Sequence, residues 1–317
     1  MKRRLWAVLA LVMGLAVLSP PVASAAAIGE VTGFGSNPGN LKMFRYTPDG
    51  LPAGRPVVVV MHGCTQDAAG YGTNSGWVQL AQRWSFTVVL PQQQTLNNSS
   101  KCFNWFASAD ITRGQGEALS IKQMTDRAVA DAGASRVFAT GLSAGGAMTS
   151  VMLATYPETF AGGGVVAGLP YACATSLVNS FSCMNPGQNL TPAQWGAKVR
   201  AASGYQGPWP TMSVWHGTSD FTVAQANKTE IVDQWTNVNG ADAIADVNDT
   251  VGGYPHAVYR DAAGRTVVQA YTITGMGHGQ PVDPGTGAQQ CGTAAAYVLD
   301  VNVCAAWQLG HSWGLDT

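Results

Sequence analysis

The chain has 317 residues, of which 46% are hydrophobic and only 11% are charged. Its 17 basic and 18 acidic residues give a net charge of −1, which argues against a protein that binds nucleic acid or an acidic membrane surface. The length suits one large or two small domains, and because no linker or internal repeat divides the sequence, we expect one.

Residues 1–25 have the features of a secretory signal peptide. Lys2, Arg3 and Arg4 precede an uncharged apolar stretch over residues 5–18, and Ala23-Ser24-Ala25 matches a small-residue cleavage site. The apolar stretch is shorter than the roughly 20 residues that a membrane-spanning helix needs. Cleavage would leave 14 basic and 18 acidic residues over residues 26–317, a net charge of −4. We therefore expect a secreted, extracellular monomer with neither a membrane nor a nucleic-acid partner.

Apolar patterns along the rest of the chain predict an α/β fold. A peripheral strand is predicted over residues 41–46, and continuous apolar runs, typical of strands covered on both faces, occupy residues 57–61, 86–90, 137–139, 165–167, 212–215 and 267–273. Helical spacing predicts helices over residues 117–132 and 144–156, which Gly133 and Pro157 end. This alternation predicts a mostly parallel sheet flanked by helices, with a hairpin at residues 256–260 that makes its edge mixed.

Six cysteines in an exported chain predict disulfides. The short separations favour Cys173 with Cys183 and Cys291 with Cys304, which leaves Cys64 with Cys102. A metal site is the competing interpretation, but the sequence contains no C-x-x-C or H-E-x-x-H spacing.

The stretch from Gly141 to Gly145 reads G-x-S-x-G between a predicted strand and a predicted helix. A nucleophilic serine stands on a sharp bend, and the flanking glycines remove side chains that would collide there. We therefore interpret Ser143 as a nucleophile. An ordinary glycine-rich turn is the alternative.

A base and an acid should follow the serine in the order acid, then histidine. His278 lies in a glycine-rich loop directly after a predicted strand, which suits the base. Asp220 follows another strand by a short loop, which suits the acid that orients it. His62 precedes the serine and so falls outside this order. For the remaining candidates we expect structural or surface roles: His216, His256, His311, Asp233, Asp242, Asp246 and Asp249.

Two backbone amides are candidates for an oxyanion hole. The amide of Ala144 lies at the start of the predicted helix, and that of Cys64 lies in the loop after the strand at residues 57–61. A disulfide from Cys64 would hold its amide still. A tight turn with a structural cystine explains the same residues.

Several linked motifs together resemble the poly(3-hydroxybutyrate) depolymerase family of secreted esterases: HGCTQ at 62–66, CFNWF at 102–106, RGQGE at 113–117, GLSAGGAM at 141–148, HGTSDFTV at 216–223, GMGHG at 275–279 and WGL at 313–315. That family is similar to acetylxylan and feruloyl esterases. The resemblance implies an α/β-hydrolase fold over residues 26–317, a triad of Ser143, Asp220 and His278, and an oxyanion hole at Cys64 and Ala144. It also implies that Trp105 and Trp307 lie near the cleft, with burial in the core as the alternative.

The expected activity is hydrolysis of poly(3-hydroxybutyrate) or related polyesters and oligomers through an acyl-enzyme, without a metal or organic cofactor. The chain ends at Thr317 without a linker or separate substrate-binding domain, which favours amorphous polymer, oligomers or small esters. Acetyl or feruloyl esters of plant polysaccharide are the alternative substrates. A protein that only binds, without catalysis, is the alternative from another class.

Overall fold

The computed structural model of the protein describes residues 26–317, so the predicted signal peptide at residues 1–25 lies outside the described residues. The strands are β1 (Gly29–Val31), β2 (Lys42–Tyr46), β3 (Val57–Met61), β4 (Thr87–Gln92), β5 (Val137–Leu142), β6 (Gly162–Val166), β7 (Thr211–Gly217), β8 (Val247–Val251), β9 (Tyr254–Arg260), β10 (Thr266–Ile273), β11 (Gln280–Val282) and β12 (Val298–Asp300). The helices are α1 (Ala68–Asn74), α2 (Trp77–Trp84), α3 (Gly116–Ala132), α4 (Ala144–Thr155), α5 (Leu177–Met184), α6 (Pro192–Ser203), α7 (Ala226–Asn239) and α8 (Ala305–Ser312).

Ten strands form one sheet in the order β1-β2-β4-β3-β5-β6-β7-β10-β9-β8. The six strands from β4 to β10 in this order run parallel, and two antiparallel strands extend each edge. The predicted mostly parallel sheet with a mixed edge is therefore confirmed. Strands β11 and β12 form a separate parallel pair.

Helices cover both faces of this sheet, which explains why its central strands are continuously apolar. Every residue of β3 and β5 is buried. One face packs against α3, α4 and α7 through Ile121, Met148 and Trp235. The other packs against α2 and α8 through Leu80 and Leu309. Each such side chain stabilises the fold by about 1.5–3 kcal/mol through burial.

Strand β6 begins three residues before the predicted apolar run at 165–167, because glycines form its first half. A side chain at Gly163 would collide with Leu153 of α4, and one at Gly164 would collide with Leu309 of α8. A side chain at either position would therefore force the leucine of the facing helix to shift. Strand propensity does not show this, because glycine is normally depleted in strands.

The short helices α1, α2, α5, α6 and α8 were not predicted, and His311 lies in α8. The cysteines form the pairs Cys64–Cys102, Cys173–Cys183 and Cys291–Cys304, the pairing that the sequence favoured. Across residues 26–317, no helix combines the length and apolar character needed to cross a bilayer.

The parallel strands bring four loops to one edge of the sheet, because the carboxyl ends of parallel strands lie together. The loops follow β3, β5, β7 and β10 and carry Cys64, Ser143, Asp220 and His278. All the residues interpreted as a triad or oxyanion hole therefore come from this one edge.

Candidate active site

Ser143 occupies the sharp bend between β5 and α4. Its φ of 57° and ψ of −117° lie in a region that a residue with a side chain rarely adopts. A side chain at Gly145 would collide with the Met61 carbonyl of β3, and one at Gly141 would collide with Gly145 itself. The two glycines thus allow β3, β5 and α4 to meet closely enough for the bend to form.

His278 and Asp220 are joined by a hydrogen bond of 2.7 Å between Nδ1 and Oδ2. The other carboxylate oxygen of Asp220 accepts hydrogen bonds from the amides of Thr222 and Val223, each at 2.9 Å. Burial would raise the pKa of the Asp220 carboxyl, but the hydrogen bond and charge of His278, with the Val223 amide and His216, hold that pKa below its ordinary value. The carboxylate is therefore ionised at neutral pH and orients the imidazole with Nε2 free.

The loops after β7 and β10 are bound to each other, which fixes the distance between acid and base. Ser219 N donates to Met276 O at 2.9 Å, and Gly275 N donates to Thr218 Oγ1 at 2.8 Å. A side chain at Gly217 would collide with the Met276 carbonyl. The carboxylate and the imidazole are thus held by backbone contacts as well as by their own hydrogen bond.

Ser143 and His278 line the same cavity of about 140 Å³. Among the hydrogen bonds of residues 26–317, none joins the Ser143 hydroxyl to the imidazole. Hydrogen bonds between catalytic groups often reach their working length only when substrate is bound. The arrangement therefore has the order and placement of a nucleophile, a base and an orienting acid.

The amides of Cys64 and Ala144 have no hydrogen-bond acceptor within the described part of the chain. Ala144 is the first residue of α4, where the helix dipole favours negative charge. The neighbouring amides of the Cys64 loop are occupied, because Gly63 N donates to Gln66 Oε1 at 2.8 Å and Thr65 N donates to the Ser100 carbonyl at 2.6 Å. The two free amides suit a developing oxyanion.

His62, which was set aside as a base because it precedes the serine, supports the Cys64 loop through hydrogen bonds. It is fully buried, its Nδ1 donates to the Gly63 carbonyl at 2.7 Å, and its Nε2 accepts from Gln93 N at 3.1 Å. Burial lowers its pKa to about 4, which matches a neutral ring that accepts at one nitrogen. The sequence signal for this role was the position of His62 directly beside Gly63.

Glu117 continues this buried network and was missed by sequence reasoning. Its carboxyl accepts from the amide and side chain of Asn104, both at 2.8 Å, and from the Gln93 side chain. Burial, and then the charge of Asp110, raises the pKa of Glu117 to about 8. Through these contacts Glu117 ties the loop that contains Cys102 to the loop that contains Cys64.

A second cavity of about 380 Å³ also has Ser143 in its wall, but His278 is not among its lining residues. Its wall includes Ala144, Leu177, Phe181 and the largely buried Trp105. The structure therefore places Trp105 in the wall of a cavity that Ser143 also lines.

Trp307 is not brought to this site. It lies in α8, packs edge-on against Trp84 and stacks on His311 with ring centroids 4.8 Å apart. Neither cavity at Ser143 includes it. Packing in α8 accounts for this residue, so we drop the substrate contact that the resemblance implied.

The remaining histidines have structural partners. His216 is buried and donates from Nε2 to the Val223 carbonyl at 2.8 Å, which also steadies the Asp220 loop. His256 contacts Asp249 at 2.7 Å, and His311 contacts Asp316 at 2.6 Å.

Residues 41–251 match the protein family described as Esterase PHB depolymerase. The chain belongs to this family. Among its relatives, poly(3-hydroxyalkanoate) depolymerase C of Paucimonas lemoignei is 58% identical over 302 residues, which cover 94% of this chain and 73% of that protein. Feruloyl esterase B of Talaromyces stipitatus is 33% identical over 284 residues, which cover 86% of this chain and 77% of that protein.

Solved structures support the same conclusion about this family member. The acetyl xylan esterase from Aspergillus awamori superposes with a TM-score of 0.72 at 32% identity, over 80% of this chain and 94% of that chain. An S-formylglutathione hydrolase from Agrobacterium tumefaciens, at 14% identity and a TM-score of 0.53 over 82% of this chain and 91% of that chain, shows likeness of fold alone. The esterase has the α/β-hydrolase fold and is a carboxylic ester hydrolase.

Replacing Asp220 with Asn should lower kcat of the esterase on a soluble ester by about 10⁴-fold, because the imidazole loses the charge that fixes its tautomer and stabilises its protonated form. Asp233→Asn on α7 is the matched control and should leave kcat within about twofold. Steady-state kinetics with urea unfolding of each variant measures this. Equal kcat values for the two variants would contradict the assignment of Asp220.

Replacing Glu117 with Gln should make the free energy of unfolding of the esterase less dependent on pH between about pH 5 and 8. The folded-state pKa of about 8 lies above the ordinary value of 4.5, so the stabilising contribution is complete below pH 4.5 and is lost as the pH rises through about 8. Over that window the wild type should lose about 1.4 kcal/mol per pH unit relative to the variant. Urea unfolding of both proteins from pH 5 to 8 tests this, and a difference that stays constant with pH would contradict it.

Proposed function

We propose that the protein is a secreted serine esterase that cleaves the ester bonds of poly(3-hydroxybutyrate) or related polyesters and oligomers. The observation that carries the substrate is the identity of 58% with a poly(3-hydroxyalkanoate) depolymerase, against 33% with a feruloyl esterase. Ser143 is the nucleophile in this proposal, His278 the base and Asp220 the acid that orients it. The supporting geometry is the bend at Ser143, the bond between His278 and Asp220, and the two free amides.

Acylation begins when the Nε2 atom of His278 takes the hydroxyl proton of Ser143 and the serine oxygen attacks the ester carbonyl carbon. Asp220 stabilises the imidazolium that forms. The carbonyl oxygen becomes an oxyanion between the amides of Cys64 and Ala144. Donors of this kind are each worth about 3–4 kcal/mol of transition-state stabilisation when they are preorganised.

In this proposal, each of the two cavities at Ser143 holds one half of the ester. The alkoxide must receive its proton from His278, so the leaving alcohol occupies the cavity of about 140 Å³ that His278 and Tyr297 line. The acyl part then extends past Ala144 into the cavity of about 380 Å³. The larger space lies on the acyl side, which suits more than one hydroxyacid unit there.

Deacylation repeats these steps with water in place of the serine hydroxyl. His278 activates the water, which attacks the acyl carbon, and the proton returns to Ser143 as the acid leaves. The cavity walls carry no Asp, Glu, Lys or Arg, which suits a neutral ester chain.

Acetyl or feruloyl ester hydrolysis on plant polysaccharide is the second candidate. It is favoured by the superposition on the Aspergillus awamori acetyl xylan esterase. The triad and oxyanion hole would act in the same way on these esters, so only the substrate separates the two functions.

We further propose that residues 26–317 act as one catalytic domain outside the cell after removal of residues 1–25. One ten-stranded sheet and three disulfides support this proposal. Disulfides persist in oxidising surroundings such as the extracellular space.

The mature protein should release soluble hydroxyacid from amorphous poly(3-hydroxybutyrate) faster than it releases acetate or ferulate from substituted xylan. Ser143→Ala should lose several orders of magnitude in rate because no acyl-enzyme forms. Product chromatography with the three substrates in parallel measures this.

Release from xylan alone would move the protein to the second candidate function. Undiminished release by Ser143→Ala would refute the nucleophile. Ser135→Ala, at an exposed serine whose hydroxyl donates to Gly54 O at 2.8 Å, is a control outside the site and should retain the substrate preference.

A further inference from the structure

Large apolar side chains are exposed around the mouth of the site. Of the seven large hydrophobic residues exposed within residues 26–317, five form what we call the apolar rim: Leu177 (57% exposed), Val178 (80%), Phe181 (66%), Phe221 (86%) and Tyr297 (48%). Contiguous exposed apolar surface in a soluble protein marks a place of interaction. The position and the construction of the rim indicate what it contacts.

The rim adjoins both cavities at Ser143. Leu177 and Phe181 line the larger cavity, and Tyr297 lines the smaller one with its ring centroid 6.2 Å from that of His278. Phe221 directly follows Asp220 and precedes Thr222, which lines the smaller cavity. Val178 lies one helical turn from Phe181 on α5. A surface pressed against the rim would therefore face the nucleophile.

Helix α5 has the reverse of the usual burial pattern. Its buried residues are Ser180 and Cys183, and Met184 is half-buried, whereas Leu177, Val178 and Phe181 face outward. Folding normally buries the apolar stripe of a helix. Helix α5 is fastened instead by the Cys173–Cys183 disulfide and by Asn227, whose side-chain amide donates to the Cys183 carbonyl at 3.1 Å. Folding therefore does not explain its apolar face.

The segment of chain that contains α5 is itself uncharged. No Asp, Glu, Lys or Arg occurs in residues 159–197, which contain α5 and both its flanking loops. A partner with ionic groups, such as nucleic acid, a phospholipid headgroup or a charged protein surface, would find no countercharge in this segment. A neutral apolar solid matches it.

We propose that the apolar rim is the surface through which the protein adsorbs to solid, uncharged polyester, so that ester chains at the solid surface enter the two cavities. This inference rests on the proposed function. Adsorption is driven by the removal of the apolar rim from water when it lies against the polymer surface. The Cys173–Cys183 disulfide holds α5 in place, so that its rim residues stay exposed and are not buried in the fold.

Adsorption is tested on the Ser143→Ala background, so that the solid is not degraded during the measurement. Depletion of protein from solution by amorphous poly(3-hydroxybutyrate) particles gives the affinity. Adding Val178→Ser and Phe221→Ser, neither of which lines a cavity, should weaken adsorption at least tenfold. Ile244→Ser is the matched control, since Ile244 is 77% exposed outside the rim and should leave adsorption unchanged.

The same rim variants with Ser143 intact should hydrolyse soluble p-nitrophenyl butyrate within about twofold of the wild type and lose most of their rate on the solid. Adsorption unchanged by the rim substitutions would overturn the proposal. The proposal would also be overturned if the protein bound neutral phosphatidylcholine vesicles as tightly as polyester and the rim substitutions weakened both equally. A dimer in sedimentation that the rim substitutions abolish would overturn it too.

Failure of the proposed function can be distinguished from failure of the adsorption surface. If the wild type hydrolyses neither ester while rim-dependent adsorption of Ser143→Ala persists, the adsorption surface stands and the assigned chemistry does not. If the rim variants hydrolyse the solid as fast as the wild type does, the assigned chemistry stands and the adsorption surface does not.

Discussion

The site depends on how closely β3, β5 and α4 approach one another at the carboxyl edge of the sheet. Because Gly141 and Gly145 carry no side chains, the backbone reaches Met61 and reverses direction within one residue. That reversal places Ser143 at the surface and points the first amide of α4 at the same space. One packing constraint thus positions both the proposed nucleophile and one of the two proposed oxyanion donors.

The rest of the site is held by connections between neighbouring loops. The loops after β7 and β10 share backbone hydrogen bonds, so the acid and the base are positioned together. On the other side, the Cys64–Cys102 disulfide and the buried path from Glu117 through Gln93 to His62 fix the loop after β3. Such preorganised dipoles and charges need little reorganisation during the reaction, which is why they lower the barrier.

Sequence patterns indicated the parallel strands and the candidate triad because both rest on local signals. Continuous apolar runs mark central strands, and G-x-S-x-G followed in order by an acid and a histidine marks the carboxyl edge. The Glu117 network was missed because its partners, Gln93 and Asn104, come together only in the folded chain. The start of β6 was misplaced because helix packing on both faces, rather than strand propensity, selects its glycines. Trp307 was placed near the cleft by resemblance, whereas its packing against Trp84 is a tertiary contact that no motif reveals.

The central claim is that Ser143 is the activated nucleophile of an esterase. Reaction of the mature protein with a fluorophosphonate probe, followed by mass spectrometry of its peptides, tests this most directly. We expect one phosphonyl group per chain, on the peptide that contains Ser143, and no label in the Ser143→Ala or His278→Ala variants. Label on a different serine, or an unlabelled folded protein, would contradict it.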